Sequence, residues 1–581
     1  MIKMTTKTVE TKKIPSHLKQ FLSVQNYELY TPIDHAVWRY VMRQNHHALK
    51  GKAHEAYVDG LKNSGIEIEK IPNVGEMNRS LAKIGWGAGI VNGLIPGNVF
   101  FELLANGILP IATEIRKITN IAYTPAPDII HEAAGHAPIL FDPVFRDFVQ
   151  KIGGIGAKAF ATKEKQELFD AVRNLTIVME DPNSTEEEKI VAQKLVEERQ
   201  NAIVGISEAE KISRMFWRTV EYGLIGEVND PKIYGAGLLS SVGESTHCFT
   251  DAVEKIPFSV EACTVHPKNV TEMQSQLFVC KSFEELIEGA ESVANTMAFR
   301  VGGTESLEKA LRSKSVATFE LNSGLSVTGI VNSILKDANG EAIYVNTIGE
   351  TALSINNREL NGHGKTYHRK GFGTPIGALK GNIELENCNL QKLKELGIIE
   401  GEKVVLEFLS NIIVSGRIVN ILKNEDKIAL ISFEDCTVSH GGKELFKKEW
   451  GTFDMAVGSK VVSAYPGAAD PIAFFDEEII QDEITNKVPA PLTELEKLYQ
   501  QVRDIRENGM LSVDSIQKLI DIHQELNRSH STDWLIRLEL LEISVNNTGL
   551  AELVLHLRTE IEELKKDNSV SKLIMNGLKL V

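Results

Sequence analysis

Pro127-Asp128-Ile129-Ile130-His131-Glu132-Ala133-Ala134-Gly135-His136 places two imidazoles and a carboxylate close together in a stretch that otherwise reads as helix. Two helical histidines that share one ion normally stand at i and i+4, about 40° apart around an axis of 3.6 residues per turn. His131 and His136 are five apart, and on an unbroken α-helix they diverge by roughly 140°. They can share a metal only if the helix ends between them. Gly135 permits that ending: lacking a Cβ, it can take the left-handed conformation of a helix C-cap and swing His136 back, and Pro138 then keeps the helix from resuming. A third ligand must come from elsewhere in the chain. A carboxylate would complete a two-His-one-carboxylate facial triad, which leaves coordination positions open and suits non-haem Fe(II) oxygen chemistry.

The wider block from Tyr123 to Pro138, Tyr-Thr-Pro-Ala-Pro-Asp-Ile-Ile-His-Glu-Ala-Ala-Gly-His-Ala-Pro, resembles the signature of the tetrahydropterin-dependent aromatic amino acid hydroxylases. A second block agrees: Phe216-Trp217-Arg-Thr-Val-Glu221-Tyr222-Gly-Leu, followed by Tyr234-Gly-Ala-Gly-Leu-Leu-Ser240-Ser-Val-Gly-Glu244, is similar to that family's second signature region. Shorter matches lie in the same order, at Asp34-His-Ala-Val-Trp, at Val91-Asn-Gly-Leu-Ile with Phe100, and at Gln276-Leu-Phe-Val-Cys-Lys-Ser-Phe283. The resemblance covers about residues 20–300 and is closest to bacterial phenylalanine-hydroxylating members, here with a C-terminal extension.

That resemblance implies a complete oxygenase site. Glu221 is the implied third ligand, so that His131, His136 and Glu221 would hold Fe(II) on one face and leave the other for water, dioxygen as co-substrate and a reduced pterin. Glu132 is not a ligand and would face the pterin side. Phe100 would stack on the pterin ring, Gly93, Leu94 and Ile95 would contact its edge through their backbone, and Phe216 lies where the family has another aromatic. Arg116 matches the arginine for the substrate carboxylate, which a planar guanidinium can grip through two parallel hydrogen bonds. Thr124 would support that clamp, while Pro127, Trp217 and Tyr222 would wall the aromatic pocket. Ser240 would hold the ring nitrogen that His131 leaves free, with Asp128 a second candidate for that task. The implied reaction is para-hydroxylation of phenylalanine to tyrosine; hydroxylation of tryptophan or tyrosine is a variant, because a few pocket residues set substrate choice.

The chain departs from the family pattern in three places. The interval from His136 to Glu221 is long, which an insertion at about 155–208 explains; Thr162 to Gln200 reads as two surface amphipathic helices broken at Asp181-Pro-Asn-Ser. Pro110 stands where better-known members carry a histidine beside the pterin, and Ala126 replaces the usual acidic residue. Two other function classes compete with the oxygenase. A zinc metallohydrolase could use His-Glu with a further His and Glu, though the five-residue spacing and the second block count against it. A silent regulator that binds amino acid without turnover fits poorly with an intact ligand set. Gly85, Gly87 and Gly89 do not make a dinucleotide loop, since the third glycine of G-x-G-x-x-G is misplaced.

The chain of 581 residues carries a net charge of −16, which makes nucleic acid an improbable partner. Its five cysteines, Cys248, Cys263, Cys280, Cys388 and Cys436, show no C-x-x-C spacing, arguing against a disulfide framework and for a reducing, cytoplasmic setting. The N-terminus lacks the apolar stretch of a signal peptide. The apolar run from Gly85 to Ile115 is interrupted by Asn92, Asn98, Glu102 and Asn106, so it reads as core and not as a membrane span.

Periodicity divides the chain into a multidomain pattern: a mainly helical catalytic region at 16–313, a β-rich region at 314–471 and a helical C-terminal segment at 488–581. Strands are predicted at Val316-Ala-Thr-Phe-Glu-Leu, Leu325-Ser-Val-Thr-Gly-Ile-Val and Ala342-Ile-Tyr-Val-Asn-Thr-Ile, with Asn339-Gly340 as a hairpin turn, and again from Lys403, Gly416 and Lys427. His363, His368 and His440 read as loop residues. The stripe of Leu538, Leu541, Ile543, Leu550, Leu553, Leu557 and Ile561 is read as core by default, with a subunit interface the other use of such a face. Regulation, homo-oligomerisation through the C-terminal half and partner binding are left open by the sequence.

Overall fold

Thr31 accepts the Asp34 N–H while the Asp34 carboxylate accepts the Thr31 N–H, and with Pro32 in the first turn this capping box starts the helix Pro32–Leu49. In the computed structural model, which describes residues 13–91, 95–121, 128–180, 184–266, 273–475, 489–509 and 511–581, that helix is buried along most of its length. It is covered from two directions. The short helices Ala236–Ser240 and Glu244–His247 pack on it from the helical region, and Glu494–Asn508, Trp534–Ser544 and Ser571–Leu578 pack on it from the C-terminal segment.

The second contact decides how the chain is organised. Leu498, Val502, Leu538, Leu541, Leu553, Leu557 and Ile561 share one continuous apolar core with Val37, Val41, Ile130 and Phe148. The C-terminal leucine stripe is thus core, with Ile543 partly buried against it. Inside this contact Arg39, 1% exposed, donates to both oxygens of Glu539, 3% exposed, at 2.5 and 2.9 Å. Arg506 and Arg43 both pair with Glu542 beside them. Buried charges are tolerated only when paired in this way.

Between these two stretches the chain builds its β-rich region. A six-stranded sheet runs Arg358–Glu359, Ala342–Ile355, Leu325–Lys336, Val316–Leu321, Val461–Pro466, with Gly373–Pro375 also paired to Ala342–Ile355. A five-stranded sheet runs Lys403–Glu407, Ile412–Asn424, Lys427–His440, Lys443–Phe446, with Phe453–Ala456 on Lys427–His440. The Asn339-Gly340 turn joins two long strands as predicted, Gly340 supplying a positive φ of 86°. His440, read as a loop residue, instead ends the strand Lys427–His440. The helix Gly303–Ser313, read as the last of the catalytic region, places Leu307 and Ala310 in one core with Phe319, Leu325 and Val327 of the sheet. Its periodicity revealed an apolar face but not which neighbour would cover it.

The two surface helices read from Thr162 to Gln200 are Lys163–Glu180 and Glu186–Asn201, the second started by a Thr185–Glu188 capping box. The apolar run after Gly85 forms a small βαβ unit: parallel strands Gly87–Val91 and Ile108–Ala112 joined through the helix Gly97–Ala105. Among the described residues no helix is long and apolar enough to cross a membrane.

Candidate metal centre

His131 and His136 meet by a route the five-residue spacing did not suggest. Gly135 has no positive φ, so the left-handed cap predicted there is absent. The segment Ile130–His136 is wound as a π-helix, in which each N–H reaches back five residues and residues five apart stand on one face. The glycine serves packing instead. A Cβ on Gly135 would lie 2.7 Å from the Ala236 carbonyl oxygen, so only glycine lets this segment press against the helix Ala236–Ser240. Ala133 and Ala134 beside it are both fully buried.

The third group arrives on a second π-turn. Ser207 caps the helix Glu208–Phe216, which passes into the π-helical segment Trp217–Glu221 and stops at Tyr222. Glu221 Oε2 comes to 3.1 Å from His131 Nε2 and its Oε1 to 3.3 Å from His136 Nε2, while the two Nε2 atoms are 3.2 Å apart. Right-angled donors with bonds of about 2.1 Å stand about 3.0 Å apart, and tetrahedral ones about 3.4 Å. With one carboxylate oxygen turned to each imidazole, the three side chains can hold one divalent ion from a single face, and the donor set of two imidazoles and a carboxylate is that of a non-haem iron site.

The electrostatics of the bare site point the same way. Burial pulls the His131 pKa down, but the Glu221 carboxylate overrides it and lifts it to about 9. Burial would raise the Glu221 carboxyl, yet the two imidazoles hold it far below the usual carboxylate range. Ser240 fixes the tautomer: its hydroxyl donates to the Ala236 carbonyl at 2.8 Å, so it can only accept from His131 Nδ1 at 3.0 Å, which leaves Nε2 for a metal.

Asp128 does not serve an imidazole. Its Oδ2 accepts from Arg116 Nε at 2.7 Å and its Oδ1 from Arg116 Nη2 at 2.9 Å, and Oδ1 also takes the His131 main-chain N–H at 3.1 Å. One carboxylate thus caps the π-turn and clamps the arginine. Burial opposes its ionised form, and Arg116 outweighs that and keeps its pKa low. Asp128 thus occupies the Nε/Nη2 edge of Arg116, while Nη1 donates to the Ile121 carbonyl oxygen at 3.5 Å. The signal was present in the sequence, because Asp three residues before His131 holds the spacing of an N-cap.

Around this centre Phe100 and Phe216 meet edge to face at 5.4 Å, and Phe101, which the sequence reading passed over, contacts both. Phe100, Phe216, Pro110, Glu132 and His136 line one narrow cavity. The Ile95 side chain packs with Leu18, Val99 and Leu103. Glu132 Oε2 stands 3.9 Å from His136 Nε2, beside the triad and outside bonding range, its pKa raised by burial. Trp217 and Tyr222 lie against each other at 4.7 Å, and the Trp217 indole donates to Gln274 Oε1 at 3.3 Å. Gly93, Leu94, Thr124 and Pro127 lie outside the described residues, as does Ala126.

A model of the family described as biopterin-dependent aromatic amino acid hydroxylase matches residues 6–177 and 194–302. The unmatched residues between the two blocks fall within the stretch that carries the two surface helices. A phenylalanine-4-hydroxylase of Chromobacterium violaceum is 28% identical over 270 residues, covering 46% of this chain and 76% of that protein. One of Pseudomonas aeruginosa is 29% identical over 263 residues, covering 45% and 83%. A crystal structure of the Chromobacterium violaceum phenylalanine hydroxylase with iron(III) and 7,8-dihydrobiopterin aligns at 27% identity over 48% of this chain and 86% of that one, with a TM-score of 0.38.

Proposed function

The chain belongs, through residues 6–177 and 194–302, to the biopterin-dependent aromatic amino acid hydroxylases, and from that premise we propose that it hydroxylates the ring of free L-phenylalanine to give L-tyrosine. The observation that carries this reading is the triangle of His131, His136 and Glu221, whose donor atoms are 3.1 to 3.3 Å apart. Bound iron and a reduced tetrahydropterin would supply the activation of dioxygen.

The chain's own residues have the remaining tasks. His131 and His136 offer Nε2 to the ion, with His131 turned by Ser240. Arg116, steadied by Asp128, would receive the substrate carboxylate through the guanidinium hydrogens that Asp128 and the Ile121 carbonyl leave. Thr124 would support that clamp, while Trp217 and Tyr222, with Pro127, would wall the ring and place its para carbon toward the ion. Positioning of this kind can lower a barrier by several kcal/mol without any covalent step. Phe100 and Phe216, with the backbone of Gly93, Leu94 and Ile95, would hold the flat pterin, where ring stacking is worth on the order of 1 kcal/mol and so fixes orientation more than affinity. Glu132 lines that cavity beside His136 and would hydrogen-bond the pterin's polar edge.

We read residues 16–313 as the hydroxylase unit, with 314–471 and 488–581 appended to it, and place the reaction in the cytoplasm; five free, buried cysteines support a reducing setting. The test is turnover of purified protein with Fe(II), a tetrahydropterin and each of phenylalanine, tyrosine and tryptophan. Tyrosine formed from phenylalanine is the expected product. Hydroxylation of only tyrosine or tryptophan would move the substrate assignment, and no product from any of the three would overturn the reading.

A further inference from the structure

Two histidines of the β-rich region are withdrawn from water and face a carboxylate. The loop of residues 360–372, between the strands Arg358–Glu359 and Gly373–Pro375, carries His363 and His368. Their rings stack at 5.5 Å with an interplanar angle of 21°, and His363 Nδ1 lies 3.3 Å from His368 Nε2. Opposite them stands Asp454, on the strand Phe453–Ala456 of the other sheet and only 4% exposed. Its Oδ2 is 4.0 Å from His363 Nδ1, and all three donor atoms lie within 4.8 Å of one another.

A histidine in a surface loop needs nothing but water, and that is how the sequence presents this pair. The observed arrangement asks for more. One proton shared between the imidazoles satisfies two nitrogens, but at 4.0 Å the carboxylate is beyond hydrogen-bond reach of either proton position on His363 Nδ1. Asp454 is oriented by a hydroxyl instead: Ser432 Oγ donates to its Oδ1 at 2.5 Å. A carboxylate held by a neutral donor, with one oxygen turned toward two imidazole nitrogens, is how a ligating carboxylate is supported.

We propose that His363 Nδ1, His368 Nε2 and Asp454 Oδ2 bind a divalent transition-metal ion of the zinc class. Two imidazoles with one carboxylate suit zinc and its neighbours, whereas calcium and magnesium require oxygen donors throughout. Tetrahedral bonds of about 2.1 Å separate donors by about 3.4 Å, so the His363–His368 spacing already fits, and Asp454, 4.0 Å from His363 Nδ1 and within 4.8 Å of both nitrogens, has to move inward to close the triangle. A fourth position is left for water. The ion joins the two sheets, because the histidine loop leads into the strand paired with Ala342–Ile355 while Asp454 belongs to the strand paired with Lys427–His440. This site is independent of the His131–His136–Glu221 triad and stands whether or not the hydroxylase reading does.

The test is metal content of the full-length protein, stripped with chelator and dialysed against Zn²⁺. Wild type should hold two equivalents, Glu221→Ala one, His368→Asn one and Asp454→Asn one, with none in Glu221→Ala combined with His368→Asn. Zinc should also protect His363 and His368 of the wild-type chain from carbethoxylation, mapped by peptide mass spectrometry, which needs no variant to fold. A wild-type chain in which zinc leaves both histidines reactive overturns the proposal, as does a second equivalent that survives both His368→Asn and Asp454→Asn.

Discussion

Replacing Ser240 by alanine isolates the weight of one hydrogen bond on the metal centre. The hydroxyl is 2% exposed, donates to the Ala236 carbonyl and accepts the His131 Nδ1–H at 3.0 Å. Removing it leaves a buried imidazole N–H without a partner whenever Nε2 is bound to metal, at about 1–3 kcal/mol. At 1.4 kcal/mol per tenfold, Fe(II) affinity should fall about 10- to 100-fold. Alanine is the better helix former, so the helix Ala236–Ser240 keeps its shape and global stability should change by less than about 1 kcal/mol. The assay is competition for Fe(II) against a chelator of known affinity, run beside denaturant unfolding of the apo-protein. Iron affinity within twofold of wild type would refute the orienting role, and a loss of stability as large as the loss of affinity would show that Ser240 only holds the fold.

Glu132→Ala should retain iron and lower pterin-coupled turnover by about 10-fold or more, whereas loss of iron from this variant would make Glu132 a ligand. Gly135→Ala should cost about 1–3 kcal/mol, because the new Cβ meets the Ala236 carbonyl at 2.7 Å; iron retention should fall with it, and an unchanged thermal midpoint would contradict the packing argument. For the chelated protein the pH dependence follows from His131, whose pKa rises from 6.5 in the unfolded chain to about 9 in the fold. A raised folded pKa gives stability that is complete below pH 6.5 and is lost as pH rises through about 9, so denaturant midpoints of apo-protein should fall across that window and His131→Gln should flatten the fall. Glu539→Gln should destabilise the whole chain by about 3–5 kcal/mol by leaving Arg39 buried without its charge partner; urea unfolding checks this, and Arg39→Met with Glu539→Leu should recover most of the loss.

The sequence conveyed the local pieces of this fold well and their neighbours poorly. Alternating apolar residues placed the long strands from Val316, Leu325, Ala342 and Lys427, and Asn339-Gly340 placed the turn, because each of these signals is complete within a few residues. The π-turn at Ile130–His136 escaped because its determinant is tertiary. Winding one residue wide is disfavoured in isolation, and it is held here by Asp128 at its start and by Gly135 against Ala236. His131 and His136 were legible as a pair, but the geometry that joins them was not.

The same distinction explains the C-terminal half. Leu538 and Leu557 announced an apolar face, yet nothing near them in sequence says that it closes over the helix Pro32–Leu49, since the partner of Glu539 is Arg39, at the other end of the chain. A burial partner so distant can be read only from the assembled core. The consequence concerns function: the helix Pro32–Leu49 touches Ala236–Ser240, which orients His131 through Ser240, and on its other flank it touches Trp534–Ser544. A perturbation that loosens the C-terminal helices therefore reaches His131 through a single intervening helix. If Glu539→Gln lowers global stability but leaves Fe(II) affinity within twofold of wild type, the C-terminal segment braces the fold without setting the geometry of the metal centre.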